Sequence, residues 1–305
     1  MKKVLVTGAA GFIGRNLVEK LLAKNVETFA VVMPGEESCF RENEKLFLIT
    51  GDLGNIEEVE RKIGDITFDT LFHLAWKGVS TSCKNEFDIQ IQNIAYAMNV
   101  MKMAQHHKCN RVIMTGSVSE YAYCPSVDNR YAPMPSDFYS VTKACVHLYC
   151  DFFTRLYKNI SLNWAVISSI YGPGRNDDNV ITYTIKALIS GSETKFTKSE
   201  QIWDYVYITD VIRALILIAE KGVPGKMYQI GSGIQKPLYE YLSQIKDEVN
   251  PEAVLGFGKL PYKTKQIDSS IVDITALRED TGYYPMTDFE AGIKETISYF
   301  RKRGN

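Results

Sequence analysis

A tyrosine and a lysine stand four residues apart in the run Phe-Tyr-Ser-Val-Thr-Lys-Ala, as Tyr139 and Lys143. The apolar pattern predicts a helix over Phe138–Tyr157, so both side chains share one helix face. An ammonium beside a phenol favours the phenolate, and we expect Lys143 to lower the pKa of Tyr139 from about 10 toward neutrality. Tyr139 could then donate or accept a proton. The same spacing is also common on helix surfaces without catalytic function, and both interpretations are open at this point.

A serine follows an apolar run in Val-Ile-Met-Thr-Gly-Ser-Val-Ser-Glu-Tyr, residues 112–121. The run predicts a buried strand over Arg111–Thr115, with Ser117 just beyond its carboxyl end. There the Ser117 hydroxyl could donate a hydrogen bond to a substrate oxygen. A serine after a strand is more commonly a turn or cap residue.

Three glycines follow the first apolar run of the chain, as Gly8, Gly11 and Gly14. Lys3–Val6 reads as a buried strand and Phe12–Lys24 as a helix, so the glycines lie at a strand-to-helix turn. In such a turn the first glycine can adopt unusual backbone angles, the second allows close approach of a ligand, and the third allows helix-on-strand packing. A helix N-terminus favours an anion, so the loop predicts pyrophosphate binding, although any tight turn can contain glycine.

Strands and helices alternate through the first half of the chain, which predicts an α/β fold: a Rossmann-like doubly wound parallel sheet with ligands at the carboxyl ends of its strands. The further predicted strands are Thr28–Val32, Leu46–Thr50, Thr70–Leu74, Leu162–Ser168, Trp203–Ile208 and Lys226–Ile230, and the further predicted helices are Ile56–Ile63, Phe87–His107, Val180–Ile189 and Thr209–Lys221. We assign residues 1–170 to a dinucleotide-binding domain, to which about 203–235 returns. Residues 171–305 form mostly a smaller C-terminal α/β lobe for the substrate.

The composition argues against several classes of protein. The 305 residues contain 35 lysines and arginines against 36 aspartates and glutamates, so no global field would recruit nucleic acid or a membrane surface. Six cysteines include no Cys-x-x-Cys pair, and no histidine cluster has metal-ligand spacing, so we expect reduced thiols and no metal. No apolar stretch reaches about 18 residues and no signal segment opens the chain, which indicates the cytoplasm.

In chain order, these motifs resemble the extended short-chain dehydrogenase/reductase family of nucleotide-sugar epimerases, dehydratases and ketoreductases. The matching motifs are Gly8-x-x-Gly11-x-x-Gly14, Gly51-Asp52-Leu53, His73-Leu74-Ala75, Asn93, Ser117, Tyr139-x-x-x-Lys143, Tyr171-Gly172-Pro173-Gly174 and Trp203-Asp204-Tyr205-Val206-Tyr207. The resemblance implies an NAD(P)-dependent enzyme that acts on a nucleotide-diphosphate sugar.

The resemblance also implies roles for single residues. Tyr139 would be the proton donor or acceptor, Lys143 would hold the nicotinamide ribose, and Ser117 would bind the reacting oxygen. Asp52 would meet the adenine, and His73 is expected to serve packing. The implied cofactor-binding residues are Gly8, Gly11, Phe12, Ile13, Gly14, Asp52, Leu53, Leu74, Ala75, Asn93, Tyr139 and Lys143.

The sequence departs from the family at the residues after Ser117. Dehydratases carry an acidic pair there, but this chain has Val118 and Ser119, and Glu120 comes one residue too late. Gly116-Ser117-x-x-Glu120-Tyr121 resembles instead the ketoreductases that reduce a 4-keto group of deoxysugar nucleotides. A 4-ketoreductase of a 4-keto-6-deoxy sugar nucleotide is therefore the first hypothesis. The alternatives are a nucleotide-sugar 4-epimerase similar to UDP-glucose 4-epimerase and a non-catalytic module that senses dinucleotides.

A second departure is Trp203, where many relatives have an arginine that binds the substrate diphosphate. Arg175 and Asn179 are candidate substitutes, and Trp203 could stack on a base or simply pack. The stretch Gly258–Gln266 is lysine-rich and adds local positive charge. We expect these residues to set the choice of nucleotide.

The cofactor is ambiguous between NADP and NAD. The second strand ends in Val31-Val32-Met33-Pro34, with neither the acid typical of NAD enzymes nor the arginine common in NADP enzymes. Arg15 and Arg41 could supply positive charge for a 2′-phosphate, which favours NADP.

A homodimer is expected from the two longest helices. More large apolar residues than one sheet-facing side requires lie on the helices Phe87–His107 and Phe138–Tyr157. The family often pairs these two helices across a two-fold axis. The residues concerned are Met98, Met101, Met103, Leu148, Phe152 and Phe153. A thicker monomer core is the alternative.

Overall fold

The first strand shows why the centre of the protein is a covered parallel sheet. Val4, Leu5 and Val6 are successive apolar residues and all three are fully buried. A strand that is buried on both faces needs such a continuous run, which is typical of parallel sheets with helices on both sides. The protein is described by a computed structural model that covers residues 1–80, 82–121, 137–262 and 269–303.

Strands and helices alternate along most of the chain. The strands are β1 (Lys3–Thr7), β2 (Glu27–Val32), β3 (Leu46–Thr50), β4 (Thr70–His73), β5 (Arg111–Ser117), β6 (Ser161–Ile167), β7 (Ser169–Tyr171), β8 (Ile202–Tyr207), β9 (Tyr228–Ile230) and β10 (Gln235–Pro237). The helices are α1 (Phe12–Ala23), α2 (Ile56–Ile63), α3 (Phe87–His106), α4 (Phe138–Leu156), α5 (Val180–Ile189), α6 (Ile208–Lys221), α7 (Leu238–Val249), α8 (Thr275–Thr281) and α9 (Phe289–Arg303).

Seven strands form the main sheet in the order β3-β2-β1-β4-β5-β6-β9, and every neighbouring pair is parallel. Helices α3 and α4 pack against each other over the sheet, and α1 packs with α6. The strand order reverses between β1 and β4, and ligands bind at such a switch point in doubly wound folds. The predicted Rossmann-like fold is therefore confirmed.

The second half of the chain builds a smaller sheet with the order β10-β8-β7. In this sheet β8 runs antiparallel to β10 and parallel to β7, and helices α5, α7 and α9 pack together beside it. Strand β9 instead completes the main sheet next to β6. The predicted limits of the two domains stay a prediction.

The outer surface of α4 is apolar. Leu148, Phe152 and Leu156 are 71%, 59% and 63% exposed, whereas Met101 and Met103 are fully buried. The surplus of apolar residues therefore lies on α4 rather than in the methionines of α3. Within the described ranges, no helix is both long enough and apolar enough to span a membrane.

Candidate active site

The glycine loop lies at the switch point and has no space for side chains. Gly8 has a positive φ of 68°, and a Cβ there would lie 2.5 Å from the backbone nitrogen of Ala75. A Cβ on Gly14 would lie 2.1 Å from the carbonyl oxygen of Gly8. Gly11 begins α1 as its N-cap, so Phe12 and Ile13 form the first turn, with its free N–H groups. This bare backbone fits the pyrophosphate of a dinucleotide.

The loop after β4 is held in place by a buried amide. Asn93 accepts a hydrogen bond from the backbone N–H of Lys77 at 2.9 Å and donates one to the carbonyl of Lys77 at 3.1 Å. The side chain of Asn93 is thus occupied by the protein backbone and anchors the loop after β4. The Lys77 ammonium reaches Asp52 at 3.4 Å, across the carboxyl ends of β3 and β4. Asp52 precedes Leu53, which is buried, while the Asp52 carboxylate is partly exposed at this edge.

A carboxylate next to Ser117 was noted in the sequence but not assigned to the site. Glu120 is only 5% exposed and accepts hydrogen bonds from the Ser117 backbone N–H at 2.6 Å and from Trp164 Nε1 at 3.1 Å. A Cβ on Gly116 would lie 2.3 Å from Trp164 Nε1 and 2.7 Å from the Glu120 carboxylate, so only glycine fits there. The turn that carries Ser117 is therefore packed around the Glu120 carboxylate.

Tyr139 and Ser117 lie close enough for the serine hydroxyl to act on the pKa of the phenol. The Ser117 hydroxyl donates a hydrogen bond to the Ser119 hydroxyl at 3.2 Å, and its proximity to the Tyr139 phenol by itself lowers the pKa of that phenol. Burial has the larger effect and raises the pKa of Tyr139 to about 12, while the positive charge of Arg175 opposes that rise. The predicted shift of the Tyr139 pKa toward neutrality is therefore wrong for this arrangement, because desolvation outweighs the favourable contacts.

The Lys143 ammonium lies 5.9 Å from the centroid of the Tyr139 ring. It donates a hydrogen bond to the Thr115 carbonyl at 2.7 Å and lies 3.6 Å from the centroid of the Trp76 ring. Burial lowers the pKa of Lys143 to about 7, and the negative charge of Glu120 acts in the opposite direction. A cation on an aromatic face is stabilised most when it is desolvated, so Trp76 is a neighbour that the sequence did not reveal.

His73 is a packing residue, as expected. It is 4% exposed, and its Nδ1 lies 2.7 Å from the Thr7 hydroxyl. Burial lowers the pKa of His73 to about 3, and the charge of Lys143 acts in the same direction. The imidazole is therefore neutral and joins β4 to β1 beneath the glycine loop.

The end of β2 is more acidic than the sequence suggested. A carboxylate oxygen of Glu36 accepts the Met33 N–H at 3.0 Å, and the Glu37 carboxylate accepts the Gly35 N–H at 2.8 Å and the Thr50 hydroxyl at 2.9 Å. Two acidic side chains thus fold back onto the strand end where dinucleotide-binding proteins hold the adenosine ribose.

The two arginines considered for a 2′-phosphate are placed differently. Arg15 donates a hydrogen bond to the carbonyl of Gly174, in the Tyr-Gly-Pro-Gly turn, and is therefore committed elsewhere. Arg41 is an exposed residue beyond the 3-10 turn Glu37–Cys39.

A cleft of about 1100 Å³ opens between the two lobes and is lined by Arg175, Asn179 and Trp203. Trp203 donates its indole N–H to the Ser169 hydroxyl at 2.7 Å, so it both packs and borders the cleft. Arg175 forms two hydrogen bonds with Asp177, at 2.7 and 2.8 Å. Asn179 caps α5 by accepting the N–H of Thr182 at 3.1 Å. Both proposed substitutes for the missing arginine are thus already engaged within the protein.

Three lysines line this cleft, although no local sequence pattern indicates that they belong to a site. Lys84 lies with its ammonium 5.1 Å from the centroid of the Tyr139 ring. Lys186 and Lys195 line the cleft beside Tyr183 and Phe196. Neither Lys186 nor Lys195 forms an ion pair within the described ranges. Of the lysine-rich stretch Gly258–Gln266, residues 263–266 lie outside those ranges.

The arrangement combines a bare phosphate-binding loop, a hydroxyl pair and a buried cation at one edge of a parallel sheet. The hydroxyls of Ser117 and Tyr139 can share one oxygen of a bound molecule, and Tyr139 can exchange a proton with that oxygen. Lys143 supplies positive charge in a desolvated setting. These are the parts needed for proton-coupled hydride transfer at a carbonyl or alcohol carbon.

Comparison with known proteins agrees with this geometry. Residues 4–231 match the model of the NAD dependent epimerase/dehydratase family. The CDP-abequose synthase of Salmonella typhimurium is 24% identical over 310 residues, which cover 96% of this chain and 97% of that protein.

Two solved structures have similar folds. The UDP-glucose 4-epimerase of Thermotoga maritima with UDP-glucose has a TM-score of 0.87 at 24% identity, and the match covers 99% of this chain and 100% of that one. The UDP-glucuronic acid 4-epimerase of Bacillus cereus with UDP-glucuronic acid and NAD has a TM-score of 0.83 at 25% identity, covering 99% of both chains. The family model spans well over half of the sequence, and the chain therefore belongs to the NAD dependent epimerase/dehydratase family.

Proposed function

We propose that this protein is an oxidoreductase that acts at C4 of a nucleotide-diphosphate sugar, as a 4-ketoreductase of a 4-keto-6-deoxy sugar nucleotide. The observation that carries the proposal is the Ser117–Tyr139 hydroxyl pair at the carboxyl edge of the sheet. Val118 and Ser119 stand where dehydratases need acids, and Glu120 is occupied by Ser117 and Trp164. Glu120 is therefore not available to remove water from a sugar, which supports reduction over elimination.

The chain's own residues account for the proton chemistry. The nicotinamide cofactor supplies or accepts a hydride when bound. Ser117 would orient the C4 oxygen by a hydrogen bond, and Tyr139 would deliver a proton to that oxygen as the carbonyl becomes an alcohol. Lys143 would hold the nicotinamide ribose and place positive charge near the developing oxyanion. The loop Gly8–Gly14, together with Asp52, Leu53 and the Leu74–Ala75 backbone, would bind the rest of the cofactor.

We propose NAD rather than NADP as the cofactor. The carboxylates of Glu36 and Glu37 lie at the end of β2, where a 2′-phosphate would meet like charge. Arg15, which supported NADP in the sequence, is bound to Gly174 instead. The NAD named for the Bacillus cereus epimerase agrees with this choice. These contacts reverse the preference for NADP drawn from the sequence alone.

The substrate diphosphate is assigned to the cleft between the lobes. Because Arg175 is neutralised by Asp177, the ammonium groups of Lys186 and Lys195, which have no ion-pair partner among the described residues, are the better candidates for the phosphates. Trp203 borders the same space with its indole N–H tied to Ser169, which leaves the ring face for contact with the sugar or base. The sugar would then extend past Lys84 to Tyr139.

A direct comparison of activities tests the proposal. The protein is incubated with NADH or NADPH and a panel of 4-keto-6-deoxy sugar nucleotides, and separately with UDP-glucose or UDP-galactose and NAD. Oxidation of one cofactor per sugar, followed by its absorbance, is the expected result. Interconversion of the two UDP-sugars without net cofactor turnover would overturn the reductase assignment.

A 4-epimerase is the second candidate. It would use the same Ser117, Tyr139 and Lys143, and UDP-sugar epimerases are among the similar structures. A non-catalytic dinucleotide sensor is the third. It requires no hydroxyl pair, so retained cofactor binding without turnover of any sugar would support it.

A further inference from the structure

A cluster of two histidines and a glutamate lies at the opposite edge of the main sheet from the active site. Helix α3 runs back from the carboxyl edge to the start of β5, and its last residue is His106, with His107 as its C-cap. Glu60 lies on the neighbouring helix α2. The sequence shows the adjacent histidines but not Glu60, which is 46 positions away from His106. For this reason the sequence predicted no metal site.

The buried histidine of the cluster is fixed in one tautomer. His107 is 3% exposed, and its Nδ1 lies 2.7 Å from the carbonyl oxygen of Ile66. A carbonyl can only accept, so Nδ1 carries the proton and Nε2 presents a lone pair. This Nε2 is buried and has no hydrogen-bond partner in the described part of the chain. Metal-binding histidines are held in the same way, with the second nitrogen donating to a carbonyl or carboxylate.

The other two side chains are close and adjustable. His106 Nδ1 lies 3.1 Å from a carboxylate oxygen of Glu60, and the side chain of His106 is 65% exposed. One ligand atom from each of Glu60, His106 and His107 lies within 4.8 Å of the other two. Ligands at about 2.1 Å from a tetrahedral ion are roughly 3.4 Å apart, so a movement of about 1 Å by the side chains of His106 and Glu60 completes the site.

The electrostatic environment of the Glu60, His106 and His107 cluster also favours a cation. The carbonyl groups at the end of a helix carry partial negative charge, and α3 is 20 residues long. The carboxylate of Glu60 adds a full negative charge. Two imidazoles and one carboxylate are ligands for zinc and other transition ions, whereas calcium and magnesium prefer oxygen alone.

We propose that Glu60, His106 and His107 form a binding site for one divalent transition-metal ion, independent of the active site. The ion would bind His107 Nε2, one nitrogen of His106 and the Glu60 carboxylate, with water at the remaining position. It would thereby link α2 to the end of α3.

Zinc titration of the full-length, tag-free protein tests the site after treatment with a chelator. We expect one Zn²⁺ per chain by calorimetry and a rise in melting temperature with added Zn²⁺, since an ion that binds only the folded state stabilises it. His106→Ala and Glu60→Gln should each weaken binding at least tenfold. Glu58→Gln, on the same helix α2, is the matched control and should bind as the parent does.

The cysteines could also bind zinc, and cobalt distinguishes the two kinds of site. Co²⁺ at the proposed site should give weak visible bands without the intense near-ultraviolet absorption of a cobalt–thiolate bond. No binding by the parent at 100 µM Zn²⁺, or unchanged affinity in His106→Ala, would overturn the proposal. Thiolate absorption that persists in His106→Ala would likewise place the metal elsewhere.

Discussion

The carboxylate of Glu120 accepts the backbone N–H of Ser117 at 2.6 Å, and this contact fixes the turn that presents the serine hydroxyl to Tyr139. Glu120 also holds Trp164, whose ring stacks on His147 at 4.5 Å between centroids. Glu120 does not match the acidic pair of the dehydratases, but it supports the turn that carries Ser117. Its charge also acts on the buried Lys143.

Glu120→Gln should change the pH dependence of the reaction. The negative charge of Glu120 raises the pKa of Lys143, which burial holds at about 7. Removing that charge lowers the pKa of Lys143, so its ammonium is lost at lower pH. The alkaline limb of kcat/KM should move down by on the order of one pH unit. Glu58→Gln removes an exposed carboxylate and should leave the profile unchanged. A uniform loss of rate with an unshifted limb would mean that Glu120 only maintains structure.

Tyr139→Phe should lose activity while keeping the fold. The substitution removes the proton donor but leaves a ring of the same shape against Trp76, whose centroid lies 5.7 Å away. We expect kcat to fall on the order of a hundredfold or more, with cofactor affinity nearly unchanged. Tyr284→Phe, at a 59% exposed ring that does not line the cleft, is the matched control and should keep kcat. Activity within a few-fold of the parent would remove Tyr139 from the reaction.

Glu36→Gln/Glu37→Gln should weaken the discrimination between NAD and NADP. Both carboxylates accept backbone N–H groups at the end of β2, where the adenosine ribose is expected, and each charge removed reduces repulsion of a 2′-phosphate. The parent should favour NADH over NADPH in kcat/KM, and the double variant should narrow that ratio on the order of tenfold. Glu42→Gln/Glu44→Gln changes the same net charge further along the chain as a control. A parent that prefers NADPH would contradict the cofactor proposal itself.

Folding stability should fall in mild acid because of His73. Its pKa is about 3 in the folded protein against 6.5 as its ordinary value. The unfolded chain therefore binds a proton that the folded protein excludes between those values. The stability from the neutral imidazole is complete above pH 6.5 and is lost as the pH falls toward 3, by about 2 kcal/mol at pH 5. Urea unfolding of His73→Asn should show a smaller difference between pH 7 and pH 5 than the parent.

The apolar outer face of α4 should form a homodimer contact. Leu148, Phe152 and Leu156 stand at successive turns of one helix and are all more than half exposed. Packing this face against α4 of a second chain removes from water the apolar surface that a monomer leaves exposed. Light scattering at micromolar concentration should give the mass of a dimer for the parent. The Phe152→Asp variant should have the mass of a monomer. A monomeric parent would show that this face has another role.

The periodic elements could be predicted closely from the sequence because burial on both sides of a parallel sheet leaves continuous apolar runs. Predicted α2, α5 and β3 have the observed limits, and the remaining predicted elements differ by one or two residues at their ends. The strands β7 and β10 and the helices α7 to α9 are not among the predicted elements.

The contacts of the candidate active-site residues could be predicted less completely than the helices and strands. Ser117 and Tyr139 meet as the motif implied, but Lys143 donates to the Thr115 carbonyl because the Trp76 ring and that carbonyl are nearer than the phenol. The spacing of two residues in the sequence indicates whether they share a helix face. Their pKa values also depend on desolvation, which is set by residues from other parts of the fold. The same reason explains Glu37 and Glu60, whose partners Thr50 and His106 lie on other elements.

The pairing of β9 with β6 has a consequence for biosynthesis. Strand β6 ends at Ile167, and its outer neighbour begins at Tyr228, roughly 60 residues later in the chain. At translation speeds of about 5–20 residues per second, the nascent sheet has an open edge at β6 for several seconds. Unpaired edges of apolar strands promote association with other chains. A fragment that stops near residue 170 keeps this edge permanently, so shortened gene products should accumulate as aggregates rather than as a free cofactor-binding half.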